Sequence, residues 1–96
     1  MSGGQAAVED HMFAPSNQVF LGNLPRRTSP RDIEAIFSSI GVLPLRITLC
    51  QRSPTSLKYC FVLVQNEKAA CACVEAFQCL KINGAEIKVT YQGVIL

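Results

Sequence analysis

Between Ser29 and Gly41, apolar side chains recur at i, i+3, i+4 and i+7 as Ile33, Ile36, Phe37 and Ile40. That spacing predicts a helix with a single apolar stripe, which is stable only when laid against another element. Its start is written locally. Ser29 suits the cap, Pro30 brings the φ wanted at the first helical position, and Asp32 favours the positive end of the dipole. Gly41 ends it.

The flanking segments supply the surface. Val19-Phe20-Leu21 reads as a strand stopped by Gly22-Asn23 and Leu24-Pro25. Leu45, Ile47 and Leu49 alternate with Arg46, Thr48 and Cys50, which predicts a half-buried strand. After the polar loop Gln51 to Ser56, the run from Leu57 to Val64 is dense in β-branched and aromatic residues, hence a central strand. Asn66 can cap a second helix that buries Ala70, Cys73, Val74, Phe77 and Leu80. Asn83-Gly84 is a turn signal, and Ile87 and Val89 alternate with Glu86 and Lys88 in a last strand. Two strand-helix-strand halves follow one another. Each helix has one stripe, so both should cover one face of an antiparallel sheet, an α+β ferredoxin-like sandwich with its other face open. Residues 1–17 are expected to form a flexible leader, 18–92 the folded domain and 93–96 a C-terminal extension.

Ninety-six residues, of which 49% are hydrophobic and 17% charged, make one domain and exclude disorder throughout. All nine basic residues lie beyond Gln18 with five acids, hence +4 there against +2 for the chain. That mild excess is compatible with a polyanionic partner. Five cysteines, at positions 50, 60, 71, 73 and 79, include no CxxC pair, and the sole histidine is His11. Zinc-ligand spacing is missing, so we expect a reduced, intracellular protein without metal or cofactor, its nuclear or cytoplasmic location open. The N-terminus lacks the features of a signal peptide, and the apolar runs are too short to cross a bilayer. No cysteine has a base nearby, Asp32 and Glu34 diverge on their helix, and no glycine-rich phosphate loop occurs, so catalysis is not expected.

Alternation decides what the open face carries. With Val19 and Leu21 turned inward, Phe20 faces out. With Cys60, Val62 and Val64 inward, Tyr59, Phe61 and Leu63 face out. The first and third strands neighbour one another in this arrangement, so Phe20, Tyr59 and Phe61 should form one exposed aromatic cluster. Rings left in water ask for a partner.

Val19-Phe20-Leu21-Gly22-Asn23-Leu24 resembles the first-strand hexamer of the RNA recognition motif family, and Leu57 to Val64 resembles its third-strand octamer. The resemblance spans roughly residues 18 to 91. Tyr59, Phe61 and Val62 fit the third, fifth and sixth octamer positions, with Cys60 where Gly or Ala is usual. Leu57 replaces a basic residue, Lys58 a glycine, and Val64 the closing aromatic. The resemblance implies binding of single-stranded RNA, with Phe20 and Tyr59 each stacking a base and Phe61 packing against a sugar or between bases. It implies base-edge contacts from Thr90 to Gln92 and a lesser one from Asn23, which first of all orders its turn. Without the cation at Leu57, phosphate anchoring should be weak. Lys58 is retained as a candidate from the strand end, although alternation aims it to the opposite face.

Arg46 and Lys88 flank the rings on the open face, either as phosphate or base-edge contacts or as edge-strand charges that discourage aggregation. Arg26, Arg27 and Arg31 read as solubilising loop residues. The apolar tail from Tyr91 to Leu96 could fold back over the sheet. An acyl-phosphate hydrolase shares this architecture, but its arginine-bearing loop has no counterpart here. The family's peptide-binding variant needs an Arg-x-Phe signature where this chain reads Lys81-Ile82-Asn83-Gly84. The expected function is that of a monomeric, non-membrane module that binds single-stranded RNA, weakly because of its altered octamer, within a larger RNA-regulatory protein. The alternative is a protein-interaction module of the same fold that has lost RNA affinity.

Overall fold

A computed structural model describes residues 16–91 of the chain. The order is β1 (Gln18–Leu24), α1 (Pro30–Ser38), β2 (Arg46–Gln51), β3 (Lys58–Leu63), α2 (Glu67–Ala76), β4 (Lys81–Ile82), β5 (Ala85–Glu86) and β6 (Lys88–Tyr91). Four strands form one antiparallel sheet in the order β2-β3-β1-β6, while β4 and β5 make a separate two-stranded ribbon. Helix α1 packs on β2, and α2 packs on β1 and β6. This is the α+β ferredoxin-like sandwich, with two helices behind a four-stranded sheet.

Helix α1 starts where Ser29 predicts. The Ser29 hydroxyl accepts from the Asp32 amide, and the Asp32 carboxylate accepts from the Ser29 amide at 2.8 Å, so Asp32 closes a capping box. Regular helix stops at Ser38. The chain then closes with Gly41 N–H donating to Ser38 and Val42 N–H donating to Phe37, around Gly41 at φ 78°. That is a Schellman motif, and its left-handed position favours glycine, which has no Cβ to strain. It also corrects the expected stripe. Ile33 and Phe37 are fully buried, whereas Ile40 lies past the helix and is exposed, with Val42 packing on the core in its stead.

The core is Val19, Leu21 and Leu24 from β1, Cys60 and Val62 from β3 with Val64 just beyond it, Ile33 and Phe37 from α1, Ala70 and Cys73 from α2 with Phe77 at its C-terminal cap, and Ile87 just before β6. Phe37 and Phe77 meet edge to face at 5.2 Å, which joins α1 to the C-terminal end of α2. Asn66 caps α2 by accepting from the Ala69 amide at 2.8 Å.

Several strand boundaries differ from the alternation reading. β1 does not stop at Gly22-Asn23. Asn23 turns left-handed at φ 62°, the pairing register shifts between Leu21 and Leu24, and Leu24 re-enters the core opposite Lys58. This is a β-bulge, in which one extra residue re-aims the chain. Leu45 and Leu57 fall outside their strands and are exposed, although the Leu45 amide still donates to Leu63. The last strand begins at Lys88. Asn83 and Gly84, at φ 51° and 84°, turn the chain into the β4–β5 hairpin, and the Ile87 amide then donates to Leu80. The expected leader and extension lie outside the described residues, apart from Ser16 and Asn17, whose carbonyl accepts from the Val64 amide.

Candidate functional site

The pairing register sets which side chains share the open face. Thr90, Phe20, Phe61 and Thr48 stand in one row across all four strands. Cys50 lies opposite Tyr59, Arg46 opposite Leu63, and Lys88 opposite Gly22. The face therefore carries two cations and no carboxylate among these strand positions, while the described acids sit in the helices, apart from Glu86 in β5.

Phe20, Tyr59 and Phe61 form one cluster. Their centroids are 6.2 Å apart for Phe20–Tyr59, 5.6 Å for Phe20–Phe61 and 5.9 Å for Tyr59–Phe61, and each ring is half-buried. A cleft of about 500 Å³ opens over them. Gly22 and the rings floor it, Asn23 and Leu57 stand at one end, and Lys88 and Arg52 approach from opposite sides. A smaller hollow of about 190 Å³ adjoins it across Phe61, lined by Gln18, Arg46, Thr48 and Leu63. Flat apolar surfaces ringed by cations suit an anionic ligand with planar groups.

The structure thus brings Phe20, Tyr59, Phe61, Lys88 and Asn23 to one cleft, puts Arg46 in the adjoining hollow, and sets Thr90 beside Phe20. Lys58 is different. Its ammonium donates to the Thr28 carbonyl at 2.9 Å, behind the strand end, so only the rest of this residue reaches the cleft. Gln92 lies outside the described residues.

Arg52 was not foreseen. Its loop is tied by Gln51, whose side-chain Nε2 donates to the Ser56 carbonyl at 2.7 Å, and by a 2.7 Å hydroxyl contact between Ser53 and Ser56. These bonds fold the loop back so that Arg52 overlooks the cleft beside Leu57, the position that lacks the family's cation. Nothing periodic in the sequence marks it.

Cys60, Cys73 and Tyr91 belong to the packing. Burial pushes the Cys60 thiol up to about 12 and the Cys73 thiol up to about 11. Tyr91 points away from the open face. Its hydrogen bond with Cys71, then burial, push its phenol up to about 12. Among the described residues no group of three or more His, Cys, Asp or Glu side chains could hold a metal ion, and no helix is long and apolar enough to cross a membrane.

Residues 19–88 match the family model described as RNA recognition motif. The human protein named RNA-binding motif protein, X-linked 2 is 26% identical over 80 residues, which cover 82% of this chain and 25% of that protein. The chain thus spans about a quarter of the length of the curated relatives it matches. The three N-terminal RNA binding domains of the yeast splicing factor Prp24 align with a TM-score of 0.73 at 27% identity, over 80% of this chain and 33% of that one. The Rna15 domain solved with bound RNA (GU) aligns with a TM-score of 0.69 at 19% identity, over 85% and 88% of the two chains, a likeness of fold.

Proposed function

The chain belongs to the RNA recognition motif family, and on that premise we propose that it binds single-stranded RNA across the open face of its sheet. One observation carries the reading: three adjoining, half-exposed rings on a face whose strand positions bear cations and no carboxylate. Phe20 and Tyr59 each stack a base, and Phe61 packs against a sugar or between two bases. A stacked base contributes about 1–3 kcal/mol. Lys88, Arg46 and Arg52 hold phosphates, and Asn23, Thr90 and Gln92 contact base edges. The domain of residues 18–92 acts as a non-catalytic, monomeric, intracellular module of a larger RNA-regulatory protein. With an exposed leucine at position 57 and the Lys58 ammonium held by Thr28, its anchoring is thin and its affinity alone is weak.

Leu57, exposed at the end of the cleft, favours a second reading in which the same face takes a protein ligand. An NMR titration of the labelled chain with a pool of short randomised RNAs, at low and near-physiological salt, separates the two. Shifts centred on the amides of Phe20, Tyr59 and Phe61 are expected. No shift at low salt rejects RNA binding and leaves the protein ligand.

A further inference from the structure

Gly22 sits two residues beyond Phe20, on the same face and opposite Lys88. A Cβ built on it would stand 2.8 Å from Cε2 and 3.0 Å from Cζ of the Phe20 ring, closer than carbon atoms pack. The next neighbour, Cβ of Lys88, would be at an ordinary 3.6 Å. The Phe20 ring therefore lies along its own strand with its tip over Gly22. The glycine is not there for its backbone. The left-handed residues of the described chain are Asn23, Gly41, Asn83 and Gly84, so an L side chain is compatible with the conformation at position 22. Glycine inside a strand weakens it and often marks a close approach by another group. Here the approaching group is the ring.

We infer that Gly22 is a positioning residue for RNA, acting through Phe20. The missing Cβ lets the ring lie down in the pose where it meets Tyr59 at 6.2 Å and 36° and Phe61 at 5.6 Å and 47°. A methyl group at 22 lifts the ring tip out of that pose and spoils the joint platform. The ring tip is the free end of a rotatable side chain, so the fold tolerates the change while the platform does not. This inference rests on the reading of Phe20 as a base-stacking ring.

The test uses the full chain, a pool of randomised RNA octamers and four proteins: wild type, Phe20→Ala, Gly22→Ala and the double variant. Gly22→Ala is expected to keep its amide spectrum outside the cluster, to move the Phe20 ring resonances, and to bind about fivefold or more weakly, since a displaced stacking ring forfeits much of one base contact. On the Phe20→Ala background it is expected to cost nothing further. Wild-type affinity in Gly22→Ala beside a weakened Phe20→Ala overturns the inference and leaves the RNA reading standing. Wild-type affinity in Phe20→Ala overturns both. A further loss in the double variant overturns the positioning role, because position 22 then acts without the ring. Should Gly22→Ala unfold, wild type supplies the check. Its Gly22 Hα must show a ring-current shift that Phe20→Leu removes, and its absence overturns the proposed pose.

Discussion

Phe20 faces Phe61 directly across the β1–β3 pairing, and their rings meet at 5.6 Å with 47° between the planes. Both side chains leave the sheet on the side away from the core, so the ring surface and the folding core are built from alternate residues of the same strands. Phe61→Ala should therefore separate binding from stability. Its ring pairs are each worth about 0.5–1.5 kcal/mol, so the variant stays folded with a modestly lowered melting temperature. RNA affinity falls about tenfold, the worth of one lost stacking contact. Thermal melting and a parallel RNA titration check it. Unfolding would contradict the register.

Arg46 and Arg52 flank the rings from the small hollow and from the β2–β3 loop. Reversal of either charge, Arg46→Glu or Arg52→Glu, should weaken RNA binding severalfold. Each should also lower the slope of log affinity against log salt by about 0.7, the value for one phosphate contact on a single strand. Affinities at four salt concentrations decide it. An unchanged slope in Arg52→Glu would remove that residue from the RNA contact.

Lys58 is expected to behave in the opposite manner. Its ammonium serves the Thr28 carbonyl, so Lys58→Met should lower stability by about 1–2 kcal/mol while the salt slope of RNA binding stays at the wild-type value. Denaturant melts beside the same salt series test this. A lowered slope would return Lys58 to the RNA surface.

Cys60 and Cys73 give a pH signature. A thiol in the unfolded chain releases its proton near 9, whereas burial holds the native thiols protonated to about 12 at Cys60 and about 11 at Cys73. Above pH 9 the native state keeps protons that the unfolded state has lost. Stability is therefore unaffected by these thiols below pH 9 and falls as pH rises beyond it, by about 1.4 kcal/mol per pH unit for each thiol concerned. Denaturant melts from pH 7 to 10.5 should show the decline, with a shallower one in Cys73→Ala. Under native conditions iodoacetamide should label exposed Cys79 and spare Cys60 and Cys73.

Much of this could be read from local chemistry. Ser29, Pro30 and Asp32 mark a helix start because capping depends on neighbours in sequence, and Tyr59 and Phe61 face outward because strand alternation is rigid. The misreadings arise where the period is interrupted or where side-chain hydrogen bonds, near or distant, decide a position. At Asn23 a single extra residue breaks the alternation, so Leu24 returns to the core where a stop was expected. Ile40 continues the helical spacing on paper, but the Schellman turn has already ended the helix. Alternation aims Lys58 to the opposite face, and its ammonium lies there, but the partner that holds it, the Thr28 carbonyl, is thirty residues away in sequence. Arg52 reaches the cleft through hydrogen bonds inside its loop, which no periodicity records.

The bulge at Asn23 has a consequence for how a ligand is received. Leu21 and Leu24, on either side of it, have no solvent exposure, while Asn23 between them is exposed at the end of the cleft. Its backbone is thus clamped by the core at both ends and held left-handed before any ligand arrives. The conformational freedom of that rim is surrendered when the chain folds, and association has correspondingly less of it to remove.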